Sequence, residues 1–258
     1  MRDEGETKLN YRRVANRSGV LELVFSNPPV NAHSIGDLNA LADLLNGVEA
    51  DETIAVVILR SEGKGFSAGG DMREMLTLPG HEGIIGQANA GYRASLAIAE
   101  CAVPVVVAIQ GYCIGIGVLL AGAADIVIAS EDATFTLAEI DYGATAGAIQ
   151  AINLMPEKRL RSAMYTGEPV GVAELERFGS IEAVVPADEL PAAADRLSAR
   201  IAAKPVRSIR AMKASIDGSI ARRIRDHYRS EISYTYELNM LGIAAAARES
   251  FLAVRQTR

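Results

Sequence analysis

Residues 101–129, CAVPVVVAIQGYCIGIGVLLAGAADIVIA, decide the fold of this chain. Residues 101–124 carry no charge, and that length would suit a membrane span, but five glycine and proline residues interrupt the run. The β-branched segment Val103–Ile109 is typical of a buried parallel strand. After the glycines, residues 118–123 predict a buried helix and residues 125–129 a second strand. We therefore interpret the stretch as strand, glycine turn, buried helix and strand rather than as a membrane helix.

The glycine turn has a chemical consequence. A helix that starts there presents backbone N–H groups that have no partner inside the helix. Because Gly115 and Gly117 have no side chains, a ligand oxygen could approach these donors closely, although the glycines could also serve only close packing of helix and strand. A second glycine-rich loop, residues 61–71, follows the predicted buried strand Ile54–Leu59 and opens into a helix at Met72. Two sets of backbone donors could therefore converge on one oxygen.

Composition limits the classes of protein. A chain of 258 residues with 49% hydrophobic residues suits one large domain, or a core domain with an appended piece. The net charge of −6 without a basic cluster disfavours nucleic acid as a partner. The charged start MRDEGETKLN does not resemble a signal peptide. We expect a cytoplasmic protein in which Cys101 and Cys113 are reduced core residues. No metal site is expected, because His33, His81 and His227 are scattered along the sequence.

The remaining elements follow from local patterns. Residues 11–15 and 20–25 alternate around a turn and predict a hairpin. Ser34 is placed to cap a helix. The glycine- and proline-rich segment 78–86 predicts a loop, either a mobile cover for a pocket or an ordinary surface loop. Residues 190–258 predict a layer of helices only. Further helices are expected at 92–99, 148–154, 157–166 and 172–178, and strands at 134–137 and 181–185.

Glu139 is the second chemical candidate. It follows a short predicted strand and precedes a glycine turn. A carboxylate in apolar surroundings has a raised pKa, which suits acid/base work near neutral pH; the alternative is an exposed loop acid. The glycine loops match neither the phosphate-binding spacing GxxxxGK[ST] nor the dinucleotide-binding pattern GxGxxG.

Four segments resemble, in order and approximate spacing, the signature segments of the crotonase (enoyl-CoA hydratase/isomerase) superfamily. They are NPPVNA at 27–32, GFSAGGD at 65–71, GYCIGIG at 111–117 and ATFTLAEI at 133–140. The resemblance covers nearly the whole chain, and it implies an α/β crotonase-like fold, a spiral of ββα units with a C-terminal helical region. Members usually assemble as trimers or paired trimers (hexamers). We therefore expect an acyl-CoA-binding core over residues 1–189 and a helical trimerisation region over residues 190–258.

The resemblance also implies how the site works. A thioester carbonyl would lie between the backbone N–H groups of Ala68 and Ile116, which would stabilise an enolate, and Glu139 would be the acid/base. Coenzyme A would enter as part of the substrate, with no permanently bound cofactor. The residues expected to contact substrate are Val30, Ala32, Ser67, Ala68, Gly69, Gly70, Asp71, Gly115, Ile116 and Leu119.

The chain departs from the family pattern at Leu119. Hydratases of the family carry two glutamates, and the first should occupy this position, one helical turn after Ile116; the second aligns with Glu139. A leucine cannot hold or deprotonate water, and a general acid/base contributes about 10²–10⁴-fold to a rate. We therefore favour double-bond isomerisation or ring-opening C–C hydrolysis over hydration. Ile116 itself replaces a glycine, and its side chain is expected to narrow the pocket.

Several alternatives stay open. Segments 100–104, 139–143 and 236–239 resemble a branch of the family that opens steroid-derived ring CoA esters. The absent glutamate also allows a catalytically silent acyl-CoA-binding protein, or a subunit whose partner completes the site. A hydratase that uses Asp141, or another group, in place of the missing glutamate is a further alternative.

Overall fold

The computed structural model describes residues 10–217 and 220–247. The strands are β1 (Tyr11–Arg17), β2 (Val20–Phe25), β3 (Val56–Ser61), β4 (Val105–Ile109), β5 (Tyr112–Ile114), β6 (Ile126–Ser130), β7 (Thr134–Thr136), β8 (Val170–Gly171) and β9 (Ala183–Val185). The helices are α1 (Ile35–Asn46), α2 (Met72–Thr77), α3 (Glu82–Ala99), α4 (Ile116–Ala123), α5 (Ala148–Ala151), α6 (Glu157–Thr166), α7 (Val172–Arg177), α8 (Leu190–Ala202), α9 (Val206–Asp217) and α10 (Ile220–Met240). Short 3-10 helices occur at Gly47–Ala50 and Glu139–Tyr142.

Two sheets organise the molecule. The larger has six strands in the order β1-β2-β3-β4-β6-β9, with an antiparallel β1–β2 hairpin and parallel pairing elsewhere. The smaller has the order β5-β7-β8, and its β5 lies within the glycine-rich segment 111–117. From β4 to β9 the chain passes between the two sheets, and the fold is the spiral of ββα units that the resemblance implied.

The stretch that opened the sequence analysis forms the predicted strand, glycine turn, helix and strand. All five residues of β4 are buried, and β4 pairs in parallel with β3 on one side and β6 on the other. A parallel strand covered on both faces reads as a continuous apolar run, which is why the sequence pattern located it. The structure adds β5, a three-residue strand in the glycine turn, which belongs to the smaller sheet.

Local capping signals are confirmed at α1. Ser34 accepts a hydrogen bond from the Asp37 N–H at 3.0 Å, and the Asp37 carboxylate accepts one from the Ser34 N–H at 3.1 Å, a reciprocal capping box. The β1–β2 hairpin is also confirmed, with a tighter turn than the sequence indicated. Ser18 and Gly19 both have positive φ and form the turn, so β1 extends to Arg17.

The loop predicted at 78–86 is shorter in the structure, because α3 already begins at Glu82. A Cβ on Gly83 would lie 2.2 Å from the backbone oxygen of Met75, and one on Gly86 would lie 2.6 Å from Cδ1 of Ile35. Both glycines lie inside α3. Because they have no side chains, α3 packs closely against its neighbours. Glycine lowers helix propensity, so the sequence pattern alone favoured a loop.

The C-terminal part is helical over its described residues, as predicted; residues 248–258, like residues 1–9, lie outside the described part. Helix α8 packs on one face of the large sheet, where Ala194 joins a buried cluster with Ile58 and Val106. Helix α10 crosses α3, and its Tyr228 and Ile232 belong to the main core. The division of the chain at residue 189 stays a prediction.

Cys101 and Cys113 are buried free thiols, in agreement with the sequence analysis. Within the described ranges, no helix is both long and apolar enough to cross a bilayer. The same ranges contain no cluster of three or more His, Cys, Asp or Glu side chains that could hold a metal ion.

Candidate active site

A cavity of about 150 Å³ lies where the two glycine-rich loops meet. We call residues 65–71 the first glycine loop and residues 111–117 the second. The cavity brings together seven of the residues that the sequence analysis selected, namely Ala68, Gly69, Gly70, Gly115, Ile116, Leu119 and Glu139. Its remaining wall comes from α2, α3, α10 and residues 138–146.

Backbone pairing on both sides fixes the first glycine loop. Ser67 forms an isolated parallel bridge with Cys113 of the second glycine loop, and Gly70 forms one with His33. The Ser67 N–H donates to the Tyr112 carbonyl at 3.2 Å, and the His33 N–H donates to the Gly69 carbonyl at 2.8 Å. The two loops are thus held side by side by main-chain hydrogen bonds.

The backbone N–H of Ile116 is available to a ligand. Ile116 is the first residue of α4, where an N–H has no partner inside the helix, and no described residue accepts a hydrogen bond from it. A Cβ on Gly69 would lie 4.0 Å from this nitrogen, so the first glycine loop is in contact with the start of α4. The role of this N–H as a donor to a thioester oxygen stays a prediction.

The second predicted donor differs from expectation. The Ala68 N–H donates to the carbonyl of Asn31 at 3.2 Å, so it is not free. Asn31 has a positive φ of 55°, and the resulting turn directs its carbonyl toward the first glycine loop. This contact joins residues far apart in sequence, which is why the motif gave no indication of it.

Gly115 allows the carboxylate of Glu139 to approach the start of α4. Its φ of 50° and ψ of −110° lie in a region that side chains disfavour, and a Cβ there would lie 2.9 Å from Oε1 of Glu139. Gly117 serves packing instead, because its Cβ would lie 2.8 Å from that of Ser67. Close packing is therefore confirmed for Gly117, whereas the approach of a ligand oxygen to the helix donors stays a prediction.

Glu139 is a half-buried carboxylate, not an exposed loop acid. It begins the 3-10 turn that follows β7, and its Oε2 is enclosed without a hydrogen-bond partner in the described part of the chain. Burial raises the pKa of Glu139 to about 7, against a small opposing effect of its own backbone N–H. A group with this pKa exchanges a proton readily near neutral pH.

The face of α4 beside Glu139 is apolar. Leu119 is only 1% exposed and lines the cavity, so position 119 faces the pocket as the helical spacing predicted. The Ile116 side chain lies toward α3, where Gly91 leaves space: a Cβ on Gly91 would be 2.9 Å from Cδ1 of Ile116. Because Gly91 has no side chain, the space beside it holds part of the Ile116 side chain.

Four predicted contacts do not lie on the cavity wall. Ser67 is fully buried, and its hydroxyl accepts a hydrogen bond from the Gly69 N–H at 3.1 Å. Asp71 caps α2 through its carboxylate, which accepts hydrogen bonds from two backbone N–H groups of that helix. Val30 and Ala32 are half-buried outside the cavity. Their contacts with coenzyme A stay predictions.

Asp141 also lies outside the cavity. Its side chain is exposed and turned toward Gly167, where a Cβ would be 2.9 Å from Oδ2 of Asp141. Asp141 is only two residues from Glu139, but within their shared 3-10 turn the two carboxylates point in different directions. The structure therefore gives no support to Asp141 as a replacement for the missing glutamate.

Sequence reasoning missed Gln87, Ile232 and Thr235, and it left open whether Tyr228 lines the pocket or only fills the core. Gln87 donates from Nε2 to the His33 carbonyl at 3.1 Å, and its Oε1 is buried without a partner among the described residues. Tyr228, Ile232 and Thr235 reach the cavity from α10. Their spacing of four and then three residues places them on one helix face, which is the signal that could have identified them.

Helix α10 also fixes the loop that follows Glu139. The carboxylate of Glu231 accepts hydrogen bonds from the N–H groups of Gly147 and Ile149, each at 2.9 Å. The Thr235 hydroxyl accepts one from the Thr145 N–H at 2.9 Å. The C-terminal helical region therefore shapes the cavity of the same chain.

An open groove of about 530 Å³ adjoins the cavity and shares Glu139 and Ala144 with it. It runs between α6 and α10, with the partly exposed side chains of Ile140, Tyr165 and Tyr234 on its walls. Glu139 thus lies between an inner cavity and a surface groove.

Comparisons with known proteins identify the family to which this fold belongs. A family profile described as enoyl-CoA hydratase/isomerase matches residues 15–241. An enoyl-CoA hydratase structure from Mycobacterium avium subsp. paratuberculosis has a TM-score of 0.83 at 25% identity and covers 96% of both chains. A Bacillus halodurans enoyl-CoA hydratase has a TM-score of 0.84 at 17% identity, which supports the fold alone.

Two curated relatives are more similar in sequence. Both are (7aS)-7a-methyl-1,5-dioxo-2,3,5,6,7,7a-hexahydro-1H-indene-carboxyl-CoA hydrolases. The protein from Rhodococcus jostii is 39% identical over 93% of both chains. That from Mycobacterium tuberculosis is 39% identical over 91% of this chain and 95% of its own. The chain belongs to the enoyl-CoA hydratase/isomerase family, and it is an enzyme whose substrates are CoA thioesters.

Proposed function

We propose that this enzyme hydrolyses a carbon–carbon bond in a ring of a cyclic β-ketoacyl-CoA ester. The observation that carries the proposal is the single carboxylate of Glu139 beside an apolar α4 face in which Leu119 occupies the place of a second acid. The names of the two curated relatives support it, since both describe a hydrolase of a CoA ester on a fused ring with two keto groups.

The proposed reaction needs only one acid/base. Glu139 takes a proton from water, and the hydroxide adds to the carbon of the ring ketone. The bond between that carbon and the α-carbon of the thioester then breaks, and its electron pair forms the thioester enolate. Glu139 returns the proton to the α-carbon. The product is a single ring-opened acyl-CoA that carries a new carboxylic acid, and it contains all the atoms of the substrate and of one water molecule.

The enolate would be held by the backbone N–H groups of Ile116 and Ala68. The Ile116 N–H is available, and the Ala68 N–H would be shared between the Asn31 carbonyl and the thioester oxygen as a three-centre hydrogen bond. Each well-placed donor of this kind contributes about 2.7–4 kcal/mol in a transition state. Because the thioester enolate is the leaving group, this stabilisation acts directly on the bond that breaks.

The position of Glu139 supports hydrolysis over hydration. Of the described residues on the cavity wall, Glu139 alone is acidic, so the two-glutamate arrangement of a hydratase is not formed. The shared groove offers water a route to Glu139 while an acyl group fills the cavity. Double-bond isomerisation by the same carboxylate needs no water, and it is the competing outcome of the experiment below.

We further propose that the enzyme is a cytoplasmic homotrimer or a hexamer of paired trimers. Large apolar side chains are exposed on the C-terminal helical region, and burying them between subunits would remove apolar surface from water. They include Met212, Ile216, Tyr234, Met240 and Leu241. Light scattering on the purified protein would test the number of subunits.

The test is turnover of enoyl-, β-hydroxyacyl- and cyclic β-ketoacyl-CoA esters, followed by mass spectrometry and NMR. We expect a gain of one water and loss of the ring from the cyclic β-keto ester. Glu139→Gln should lower kcat by about 10²–10⁴-fold, because the base is removed. CoA-ester affinity should be retained.

Asp141→Asn is the matched control, since it neutralises an exposed carboxylate two residues away and should leave turnover unchanged. If the mass is unaltered and a double bond has shifted, the enzyme is an isomerase and the proposal of hydrolysis is wrong. Binding without turnover of any ester would identify a silent acyl-CoA-binding protein. Full activity of the Glu139→Gln variant would disprove the role of Glu139.

A further inference from the structure

Ring opening by hydrolysis creates two negatively charged oxygens, one after the other. The thioester enolate is the second, and the backbone donors of Ala68 and Ile116 would hold it. The first is the alkoxide that forms when hydroxide adds to the ring ketone. A buried alkoxide without a hydrogen-bond donor is costly, so the proposed function requires a further donor near the ketone.

Four neutral polar side chains line the cavity, and two of them are already committed. Gln87 directs its amide nitrogen to the His33 carbonyl. The Thr235 hydroxyl accepts the Thr145 N–H and lies 3.0 Å from the Thr145 hydroxyl. The other two are the phenols of Tyr142 and Tyr228.

Tyr228 has the better position for this task. Its hydroxyl lies 3.4 Å from the Ala88 carbonyl, at the outer limit of hydrogen bonding, so it gives up little by turning to another acceptor. The same hydroxyl lies 3.4 Å from the point where a Cβ on Gly91 would be, and Cδ1 of Ile116 lies 2.9 Å from that point. The phenol therefore lies near the side chain of Ile116, another residue of the cavity wall.

The surroundings keep Tyr228 oriented and protonated. The side chain is 2% exposed, and its ring stacks on that of Tyr92 with centroids 5.5 Å apart and an interplanar angle of 28°. Stacking fixes the ring but leaves rotation of the O–H bond free. Burial, then the nearby charges of Glu231 and Glu139, raise the pKa of Tyr228 far above its usual range, so the phenol stays a donor.

We propose that the Tyr228 hydroxyl donates a hydrogen bond to the ketone oxygen of the substrate and stabilises the alkoxide formed there. This inference rests on the proposed hydrolytic function. The phenol keeps its proton throughout, and Glu139 carries out the proton transfers. Tyr228 is thus a catalytic donor for ring opening with no part in enolate formation.

The experiment compares Tyr228→Phe, Tyr142→Phe and Tyr92→Phe with the unaltered enzyme. Each substitution removes one phenol oxygen and keeps the ring; Tyr92 stacks on Tyr228 outside the cavity wall and is the matched control. We expect Tyr228→Phe to lower kcat for ring opening by about 10²–10³-fold, the usual effect of losing one such donor. Tyr92→Phe should open the ring at the unaltered rate.

A partial reaction separates catalysis from damage to the site. Exchange of the α-proton of the ring-opened CoA product in D₂O reverses the last step, and it needs Glu139 and the backbone donors but no ketone. In Tyr228→Phe this exchange should fall by far less than ring opening. Equal loss of both reactions, or a loss in Tyr142→Phe instead, would overturn the assignment of Tyr228. Failure of the unaltered enzyme to open any ring would instead refute the proposed function, independently of Tyr228.

Discussion

At the residue scale, the proposed chemistry depends on where a single carboxylate is placed. Glu139 lies against Gly115, which has no side chain to block it, and beside Leu119, which cannot stabilise its charge. Removal from water without a compensating partner is therefore the main cause of its raised pKa. Asp141 shows the contrast, because it is exposed only two residues further on.

The raised pKa of Glu139 predicts a cost in stability that depends on pH. Between about pH 4.5 and pH 7 the unfolded chain releases this proton while the folded protein retains it, so the group's contribution to folding falls as pH rises through that range. Glu139→Gln should therefore be more stable than the unaltered protein by about 1–3 kcal/mol at pH 8, with little difference near pH 4.5. Denaturant unfolding at both pH values measures this, and Asp141→Asn should show no comparable pH-dependent gap.

At the element scale, α3 contributes the cavity wall by packing unusually close to its neighbours. Gly83 lies against the backbone of α2, and Gly86 lies against Ile35 of α1. This closeness brings Ile84 and Gln87 to the cavity. The same glycines made the segment resemble a loop in the sequence. Their lack of side chains therefore misled the prediction, and it also allows the close packing that forms the cavity wall.

Gly83→Ala should destabilise the protein despite the better helix propensity of alanine. Its Cβ would lie 2.2 Å from a backbone oxygen of Met75, and backbone cannot move aside as a flexible side chain can. We expect a loss of about 1–3 kcal/mol in the free energy of unfolding. Gly36→Ala is the control, because its Cβ meets only the Ser34 hydroxyl at 3.7 Å. That variant should gain up to about 1 kcal/mol. Equal effects of the two substitutions would contradict the packing argument.

At the scale of the whole molecule, the C-terminal helices are joined to the sheet by a buried ion pair. Lys213 of α9 donates to the Asp125 carboxylate at 3.0 Å and to the Ala99 carbonyl at 3.1 Å. Asp125 also accepts the Val105 N–H at 2.8 Å, at the start of β4. With α10 completing the cavity, this pair indicates that the C-terminal region is part of the catalytic unit as well as the predicted site of assembly.

Lys213→Met should lower the free energy of unfolding by about 3 kcal/mol or more, since it leaves the Asp125 carboxylate largely buried without its cation. Arg161→Met serves as the control. It removes one partner of an exposed pair with Glu157 at 2.8 Å, and because solvent screens this pair the free energy of unfolding should stay nearly unchanged. Equilibrium denaturation of both variants compares them directly. Similar losses from the two substitutions would show that burial of Lys213 does not increase the contribution of its ion pair to the free energy of unfolding.

The sequence by itself determined the features that depend on near neighbours. The β-branched run predicted the buried strand β4, and Ser34 predicted the cap of α1. Helical spacing predicted that the side chain at position 119 faces the pocket. The order and spacing of four short motifs were sufficient to predict the family and the fold. Each strand, cap or motif is carried by residues within a few positions of one another, and the order and spacing of the motifs are properties of the linear chain, so the chain did not need to be folded to recognise them.

Only the tertiary structure decided the features that depend on distant segments. The Ala68 N–H donates a hydrogen bond to the Asn31 carbonyl, and the sequence motifs do not predict this contact. Tyr228 reaches the cavity from a helix more than a hundred residues after the first glycine loop. The pKa of Glu139 follows from what covers the carboxylate, because desolvation is a property of the packed surroundings and not of the residue.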